Sequence, residues 1–409
     1  MKPFNPRLLA AAVSGALIVG TAGSATAQQA QTLEDAFANG DASGSLYLRY
    51  EGVDEDNALD NAKALTLRTA LKYTTAPLKG FTAVLEAEDV REVGIDDYSV
   101  PATGFNPGRY SVINDPETTE VNQAYLQYAQ GGFMARFGRQ DIRYDNQRFV
   151  GAVPWRQDYQ TFDAVSFQYK NEGPLSYTVD YNYLTQRDRI FAEAADIDSS
   201  DHLIHAVFNT PIGALTGYAY LLEEDIPVDN ALDTYGIRLT GSRTAGGLTW
   251  TYLAEYATQE SERGAADFDA DYYAIEGGVT VKGTTVKLGF ESLGSDSGLY
   301  GFATPLATLH AFQGWADNFL ATPTQGIDDA YINISRALFK GTATFVYHDY
   351  SADVSTAGID DLGDEINLQW VAPFRGKYQL GLKYADYGQG DIAAKVDKQI
   401  FWSWVQLTF

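Results

Sequence analysis

The chain has no cysteine among its 409 residues. Without thiols there is no disulfide framework, no thiolate metal centre and no cysteine nucleophile, and a chain this long can bury a core without such staples. Basic residues are scarce: 29 Lys and Arg stand against 54 Asp and Glu, giving a formal net charge of −25. With no basic stripe to meet phosphates, a nucleic-acid partner is excluded. Beyond the first thirty residues no run of eighteen apolar residues occurs, which removes the transmembrane helix. The 3.6-residue apolar period is nearly missing too, so helices should be few and short.

The N-terminus, "MKPFNPRLLAAAVSGALIVGTAGSATAQQA", carries Lys2 and Arg7, an apolar run from Leu8 to Val19 and the small-x-small tripeptide Ala25-Thr26-Ala27. This is the pattern of a cleaved export signal over residues 1–27. Its apolar core is too short to span a bilayer, and its removal makes the chain more anionic still.

In the remainder a period of two recurs, as in "KALTLRTALKY", where Leu65, Leu67, Leu71 and Tyr73 share one side. Eighteen such segments of about ten residues follow, the length a tilted strand needs to cross a membrane. They lie near 44–52, 63–74, 80–90, 119–130, 132–141, 160–170, 174–186, 201–210, 213–223, 232–243, 247–258, 270–282, 284–294, 328–338, 341–351, 362–372, 376–388 and 397–409.

The connections alternate. One set is short and marked by Gly or Pro, among them "APLKG", "QGG", "TPIG", "TAGG" and "PFRG"; the other reads as longer and acidic, including "EGVDEDNALD", "RIFAEAADIDSSD", "EEDIPVDNALD", "TQESERGAADFDAD" and "STAGIDDLGDE". Hydrocarbon tolerates no open sheet edge, so strands cross it only as a closed barrel, and short turns at one rim with long loops at the other belong to an outer-membrane barrel. The expected fold is therefore an all-β, eighteen-stranded antiparallel transmembrane barrel over 43–409, with the short turns periplasmic and a periplasmic segment at 28–42. In that segment Thr32 and Asp35 form a capping box ahead of a short helix ending near Gly40. A second helix is expected at 304–320, with Thr304 as cap, Pro305 in the first turn and Leu309, Phe312, Ala316 and Phe319 at helical spacing. It reads equally as an inward plug or as a self-packed surface loop.

The last strand, "FWSWVQLTF", places Phe401, Val405, Leu407 and Phe409 on a lipid face and Trp402, Trp404, Gln406 and Thr408 on the other. A terminal aromatic behind alternating apolar positions is the signal that outer-membrane barrels share for insertion, so barrel-assembly machinery is an expected partner through Phe409. Tyr50, Tyr73, Tyr128, Tyr169, Tyr183, Tyr256 and Tyr384 read as interfacial girdles. Trp402 and Trp404 read as wall filling near the periplasmic end of the pore.

A charge inside a strand costs about 2–4 kcal/mol on the lipid face near the midplane. The strand charges therefore point inward. Basic pore-lining candidates are Arg49, Arg68, Lys72, Arg136, Arg238, Lys287 and Lys383, and acidic ones Glu86, Glu88, Asp180, Glu255, Glu276, Glu291 and Glu365. So balanced a set suits a transverse field that orients polar solutes, or cross-strand pairs that stiffen the wall.

Catalysis finds little support. His202 and His205 fall on opposite faces of a strand and cannot share a metal, and His348, Asp349 and Ser351 diverge along one strand. "DEDNALDNAK" lacks the glycine and ligands of an EF-hand, so no cofactor or defined metal is expected, only diffuse divalent bridging to lipopolysaccharide.

The stretch 134–169, "MARFGRQDIRYDNQRFVGAVPWRQDYQTFDAVSFQY", resembles the alginate-export family of outer-membrane porins. The resemblance rests on Gly138-Arg139-Gln140, on Arg148 and Gly151, on Trp155, and on Phe162-Asp163, with "EVNQAYLQY" upstream as the preceding strand. It implies an eighteen-stranded barrel whose arginine-rich lumen passes a polyanionic uronate polymer, and makes Arg139, Arg148 and Arg156 pore or loop residues. Alternatively Arg139 and Arg148 brace the rim by pairing with loop acids such as Asp141, Asp145 or Asp158. The balanced lumen departs from a uniformly positive tunnel. The function expected is passive passage of polar, anionic or saccharide solutes through a Gram-negative outer membrane. The alternative is a non-conducting structural or adhesive barrel whose acidic loops act at the surface.

Overall fold

The computed structural model describes residues 29–228 and 230–409; the export signal read at 1–27 lies outside them. After a six-residue helix, α1 (Leu33–Ala38), whose capping box joins Thr32 and Asp35, the chain is almost wholly strand. The strands are β1 (Asp41–Glu55), β2 (Ala62–Thr74), β3 (Phe81–Asp97), β4 (Thr118–Gln130), β5 (Phe133–Gln140), β6 (Thr161–Asn171), β7 (Tyr177–Asp188), β8 (Ile197–Thr210), β9 (Gly213–Glu223), β10 (Asn230–Ala245), β11 (Leu248–Arg263), β12 (Ala266–Val281), β13 (Thr284–Leu293), the two-residue β14 (Ser295–Asp296) and β15 (Tyr300–Gly301), then β16 (Ile327–Leu338), β17 (Gly341–Thr356), β18 (Ile359–Phe374), β19 (Tyr378–Gly388) and β20 (Lys398–Thr408). Setting aside β14 and β15, which form a small hairpin of their own, eighteen strands make one antiparallel sheet.

Each barrel strand pairs with its neighbour in sequence, and β1 pairs with both β2 and β20, so no edge remains. The seam ends on the last residue: Gly44 donates its backbone N–H to Phe409 O at 2.8 Å and Phe409 donates to Gly44 O at 3.0 Å. A Cβ on Gly44 would come within 2.8 Å of the Phe409 ring, so glycine there lets the terminal aromatic lie across the seam.

Alternation sorts the wall as expected from the period of two. Leu46, Leu48, Leu71, Leu85, Phe401 and Val405 are exposed on the lipid face, whereas Tyr47, Arg49, Arg68, Glu88, Trp402 and Trp404 are buried within. His202 lies outward and His205 inward, the divergence a strand imposes.

Three expectations are corrected. The acidic stretches around 264 and 358 are not long loops: β11 and β12 turn at Gly264-Ala265, and β17 and β18 at Ala357-Gly358. Aspartate and glutamate masked the strand signal there because both faces meet water. The segment 304–320 is not a helix; it holds a single 3₁₀ turn, Leu309–Ala311. Its apolar residues are spent on contacts with the wall, and Thr304 accepts a hydrogen bond from Arg148 instead of capping. Trp402 and Trp404 do not fill the turn end; they stand opposite Glu51 and Arg49 on β1, at mid-height, under inward-folded loops.

Candidate channel lumen and its constriction

Wall side chains of an eighteen-stranded barrel cannot fill it, and here loops complete the filling. The loop 141–160, after β5, runs across the lumen. At one end Phe149 packs on Tyr218 of β9 and Tyr272 of β12, each at 5.1 Å between ring centroids. At the other Trp155 meets Trp402 and Trp404 of β20 edge-on at 5.6 and 5.5 Å. In the order of eighteen, β9 and β20 stand on opposite sides. Loop 294–326 lies beside it, and of the two readings held for its 304–320 segment the inward one is found: Leu306, Ala307 and Ala316 are at most 1% exposed. Gly151 fixes the crossing, because its N–H donates to Leu306 O at 2.8 Å and a Cβ there would fall 2.4 Å from Thr308 Oγ1.

Two ionic knots pin the loops. In the first, Arg148 donates Nε to Glu291 at 2.7 Å and Nη1 to Thr304 Oγ1 at 3.1 Å, while Tyr272 donates to the same carboxylate at 2.7 Å. In the second, Arg156 pairs with Asp317 and reaches Glu51 at 3.5 Å, while Arg49 pairs with Asp115 from loop 98–117 and donates to Trp155 O. His310 Nδ1 faces Asp317 at 2.7 Å and Nε2 faces Lys383 Nζ at 2.6 Å. A neutral imidazole fits both contacts, donating from Nδ1 and accepting at Nε2. The Lys383 ammonium also lies 4.0 and 4.1 Å from the rings of Trp155 and Trp315, one from each loop. Two cation–π contacts in a dry site thus tie both loops to one wall lysine.

The basic and acidic residues named above as pore-lining candidates lie on the inward face. Arg68 sits 3.7 Å from Glu88 and donates to Gln157 O at 3.2 Å, holding the crossing loop. Arg238 pairs with Glu255. Lys72 pairs with Glu86 at 3.2 Å, and Lys287 with Glu276 at 2.8 Å. Arg136 makes no ion pair among the described residues; it donates to Gln127 at 2.7 Å and lies against Tyr125. Lys72, Arg136 and Lys287 occupy the turn-side half, where the lumen is more accessible than under the loops.

Family-motif residues have structural work of their own. Gly138 has φ +119° with Ala124 O 2.3 Å from where a Cβ would be. Gln140 donates to Ala164 O and accepts from Ser166, and Phe162 is fully buried. Arg139 and Arg148 do pair with carboxylates, but not with Asp141, Asp145 or Asp158: Arg139 takes Asp163 at 3.0 Å and Asp188 at 2.6 Å. Asp145 instead meets His205 at 2.9 Å. His348 faces Asp329 at 2.9 Å, across the strand pair and away from Asp349. The residues that escaped sequence reasoning are Glu51, Asp115, His310, Trp315 and Asp317. One cue was available: loop 303–326 carries a single acid, Asp317, whereas the surface loops are acid-rich.

Protons bear on this packing. Burial is the chief reason that the His310 pKa falls to about 3 from its ordinary 6.5; Asp317 opposes the shift and Lys383 adds to it. Burial pushes the Asp317 carboxyl up, but His310 and Arg156 outweigh it and hold the group below its ordinary range. Both groups favour the docked loop at neutral pH and lose that contribution on acidification, His310 between 6.5 and about 3. Asp158, raised by burial and by Glu88 and Glu120, acts oppositely on loop 141–160, whose docking weakens as pH rises above the ordinary carboxylate range. Between pH 6.5 and about 5 the His310 linkage comes to about 1.6 kcal/mol, or about fifteen-fold. Amide exchange across 304–320, corrected for intrinsic rates, should accelerate toward that factor, and His310→Gln should abolish the difference. Equal pH dependence in the variant would count against His310.

The model of the alginate-export family matches residues 47–291, well over half of the chain. No curated protein matches the sequence. Among solved structures, Acinetobacter baumannii OccAB1 is similar at 12% identity and TM-score 0.71, covering 93% of this chain and 99% of its own. Pseudomonas aeruginosa OccK9 (OpdG) is similar at 14% identity and TM-score 0.71, covering 91% and 100%. Pseudomonas aeruginosa OpdK with vanillate is similar at 12% identity and TM-score 0.68, covering 90% and 98%. Such low identity speaks for the barrel fold, while the family match spans the crossing loop with Arg148 and Arg156 and the Arg148 partner Glu291: the chain belongs to the alginate-export family of outer-membrane channels.

Proposed function

We propose that the barrel passes anionic saccharides of the uronate class, and that their carboxylates exchange with the protein's own at the lumen arginines. The observation carrying this reading is that Arg148 and Arg156, both on the loop that bars the lumen, are each held by a carboxylate from elsewhere, Glu291 and Asp317. A uronate presents the same planar acceptor, and guanidinium binds it in the same forked geometry. A balanced lumen suits this exchange, since a permanently bare arginine tunnel would retain a polyanion. Arg136, with no acid of its own, is the proposed selectivity residue of the turn-side vestibule, with Lys72 and Lys287 beside it; Arg49, Arg68, Arg238 and Lys383 act on passage through the docked loops. The proposed route to the membrane is export, cleavage after Ala27 and insertion by barrel-assembly machinery through Phe409.

The full mature chain in a planar bilayer should show stepwise conductance that uronate oligomers block in a voltage-dependent way. In a salt gradient Arg136→Gln should move the reversal potential toward cation preference by several millivolts, as expected for one charge among several in a screened aqueous lumen. An unchanged potential would remove Arg136 from the selectivity set. A second reading, a non-conducting barrel with a structural or adhesive surface role, draws on the depth to which loops 141–160 and 294–326 are buried. A silent bilayer with folded protein, with and without uronate oligomers, would favour it.

A further inference from the structure

Four basic side chains gather at one place on the short-turn rim. Arg336 is near the end of β16, Lys340 lies in the turn to β17, and Arg375 and Lys377 lie in the turn from β18 to β19. These strands are consecutive in the wall, so the two turns are neighbours. The other short turns, at 75–80, 131–132, 172–176, 211–212, 246–247 and 282–283, contain no more than one basic residue each. All four side chains are exposed and none makes an ion pair among the described residues.

Above them the lipid face is hollowed. Arg336 begins an outward cross-strand row continuing through Ala343, Trp370 and Leu382. The next row is bulkier, with Phe345, Leu368 and Tyr384. Ala343 offers only a methyl group between Phe345 and Trp370, and a groove of about 390 Å³ opens there with Arg336 at its rim. An arginine on the lipid face is tolerated near the interface at a cost of up to about 1 kcal/mol. A phosphate would turn that cost into a charge-assisted hydrogen bond.

We propose that this face binds an anionic glycerophospholipid of the inner leaflet, its phosphate on Arg336 with Lys340, Arg375 and Lys377 around it and an acyl chain in the groove. The site is independent of what the lumen carries. A cluster of basic groups without the groove would attract an anionic surface, and a groove without them would take any acyl chain. Their juxtaposition selects a lipid that satisfies both.

Trp370 reports directly. In a Trp250→Phe background, which removes an exposed outward tryptophan, the full-length protein is placed in phosphatidylcholine vesicles carrying brominated-acyl phosphatidylglycerol or brominated phosphatidylcholine. Quenching by the anionic lipid should require a mole fraction at least about five-fold lower, since one basic residue near the surface is worth about 1 kcal/mol. Arg336→Gln with Lys340→Gln, Arg375→Gln and Lys377→Gln should bring the two lipids to parity. Ala343→Leu, which fills the groove and keeps every charge, should reduce quenching by the anionic lipid. Heat-modifiable gel mobility confirms that each variant is folded. Equal quenching in the parent, a preference surviving the quadruple substitution, or indifference to Ala343→Leu would each overturn the proposal.

Discussion

Excising residues 303–321 and joining Phe302 to Thr322 should raise single-channel conductance several-fold without unfolding the barrel. The ends are already adjacent, since Thr322 Oγ1 donates to Phe302 O at 2.6 Å. The excision removes His310, Gln313, Trp315 and Asp317 together, and with them the second clasp on Lys383 and the partner of Arg156. What remains under the loops is the wall, which at eighteen strands encloses an aqueous channel. Backbone pairing around the cylinder is untouched, so heat-modifiable migration should persist. Conductance equal to that of the parent would mean that loop 141–160 alone sets the constriction.

Arg156→Ala should release loop 141–160. The guanidinium lies between Asp317 and Glu51, both buried, and 4.0 Å from Asp115. Removing one member of a buried ionic group costs about 3–5 kcal/mol, because the remaining charges lose their compensation. The expected result is cleavage between 141 and 160 by a protease that spares the parent, with red-shifted tryptophan emission as Trp155 leaves Trp402 and Trp404. Arg156→Met with Asp317→Leu should recover much of the protection, since an apolar pair leaves fewer charges buried alone. Protection unchanged in the single variant would show that the aromatic contacts suffice to hold the loop.

The barrel was legible because the side-chain period of two is written locally. Leu65, Leu67 and Leu71 against Thr66, Arg68 and Lys72 declare which face meets lipid without reference to any other strand. Strand ends above the membrane were less legible: around Glu260, Glu262, Asp267 and Asp269 both faces are wet and the alternation loses its contrast. The interior was legible by residue but not by partner. That Arg49 and Lys383 point inward follows from lipid's intolerance of charge; that they meet Asp115 and Trp315 depends on loops returning from distant sequence. Helical spacing at 304–320 misled for a related reason, since apolar residues three and four apart also serve an irregular segment surrounded by wall.

The tall hairpins bear on the direction of traffic. β11, β12, β17 and β18 have sixteen residues each, well beyond the roughly ten that crossing requires. Their outer ends oppose like charges, with Glu260 beside both Asp233 and Asp269 and Glu262 beside Asp267. Such pairs are unfavourable across strands, yet together they raise a stiff anionic parapet outside, while the opposite rim gathers the cations of the short turns. A negatively charged polymer emerging from the mouth would be pushed away from it, and one approaching from the medium would meet a barrier that salt lowers. For the uronate cargo proposed above, the charge asymmetry of the two rims would make entry from the medium more salt-dependent than entry from the short-turn side.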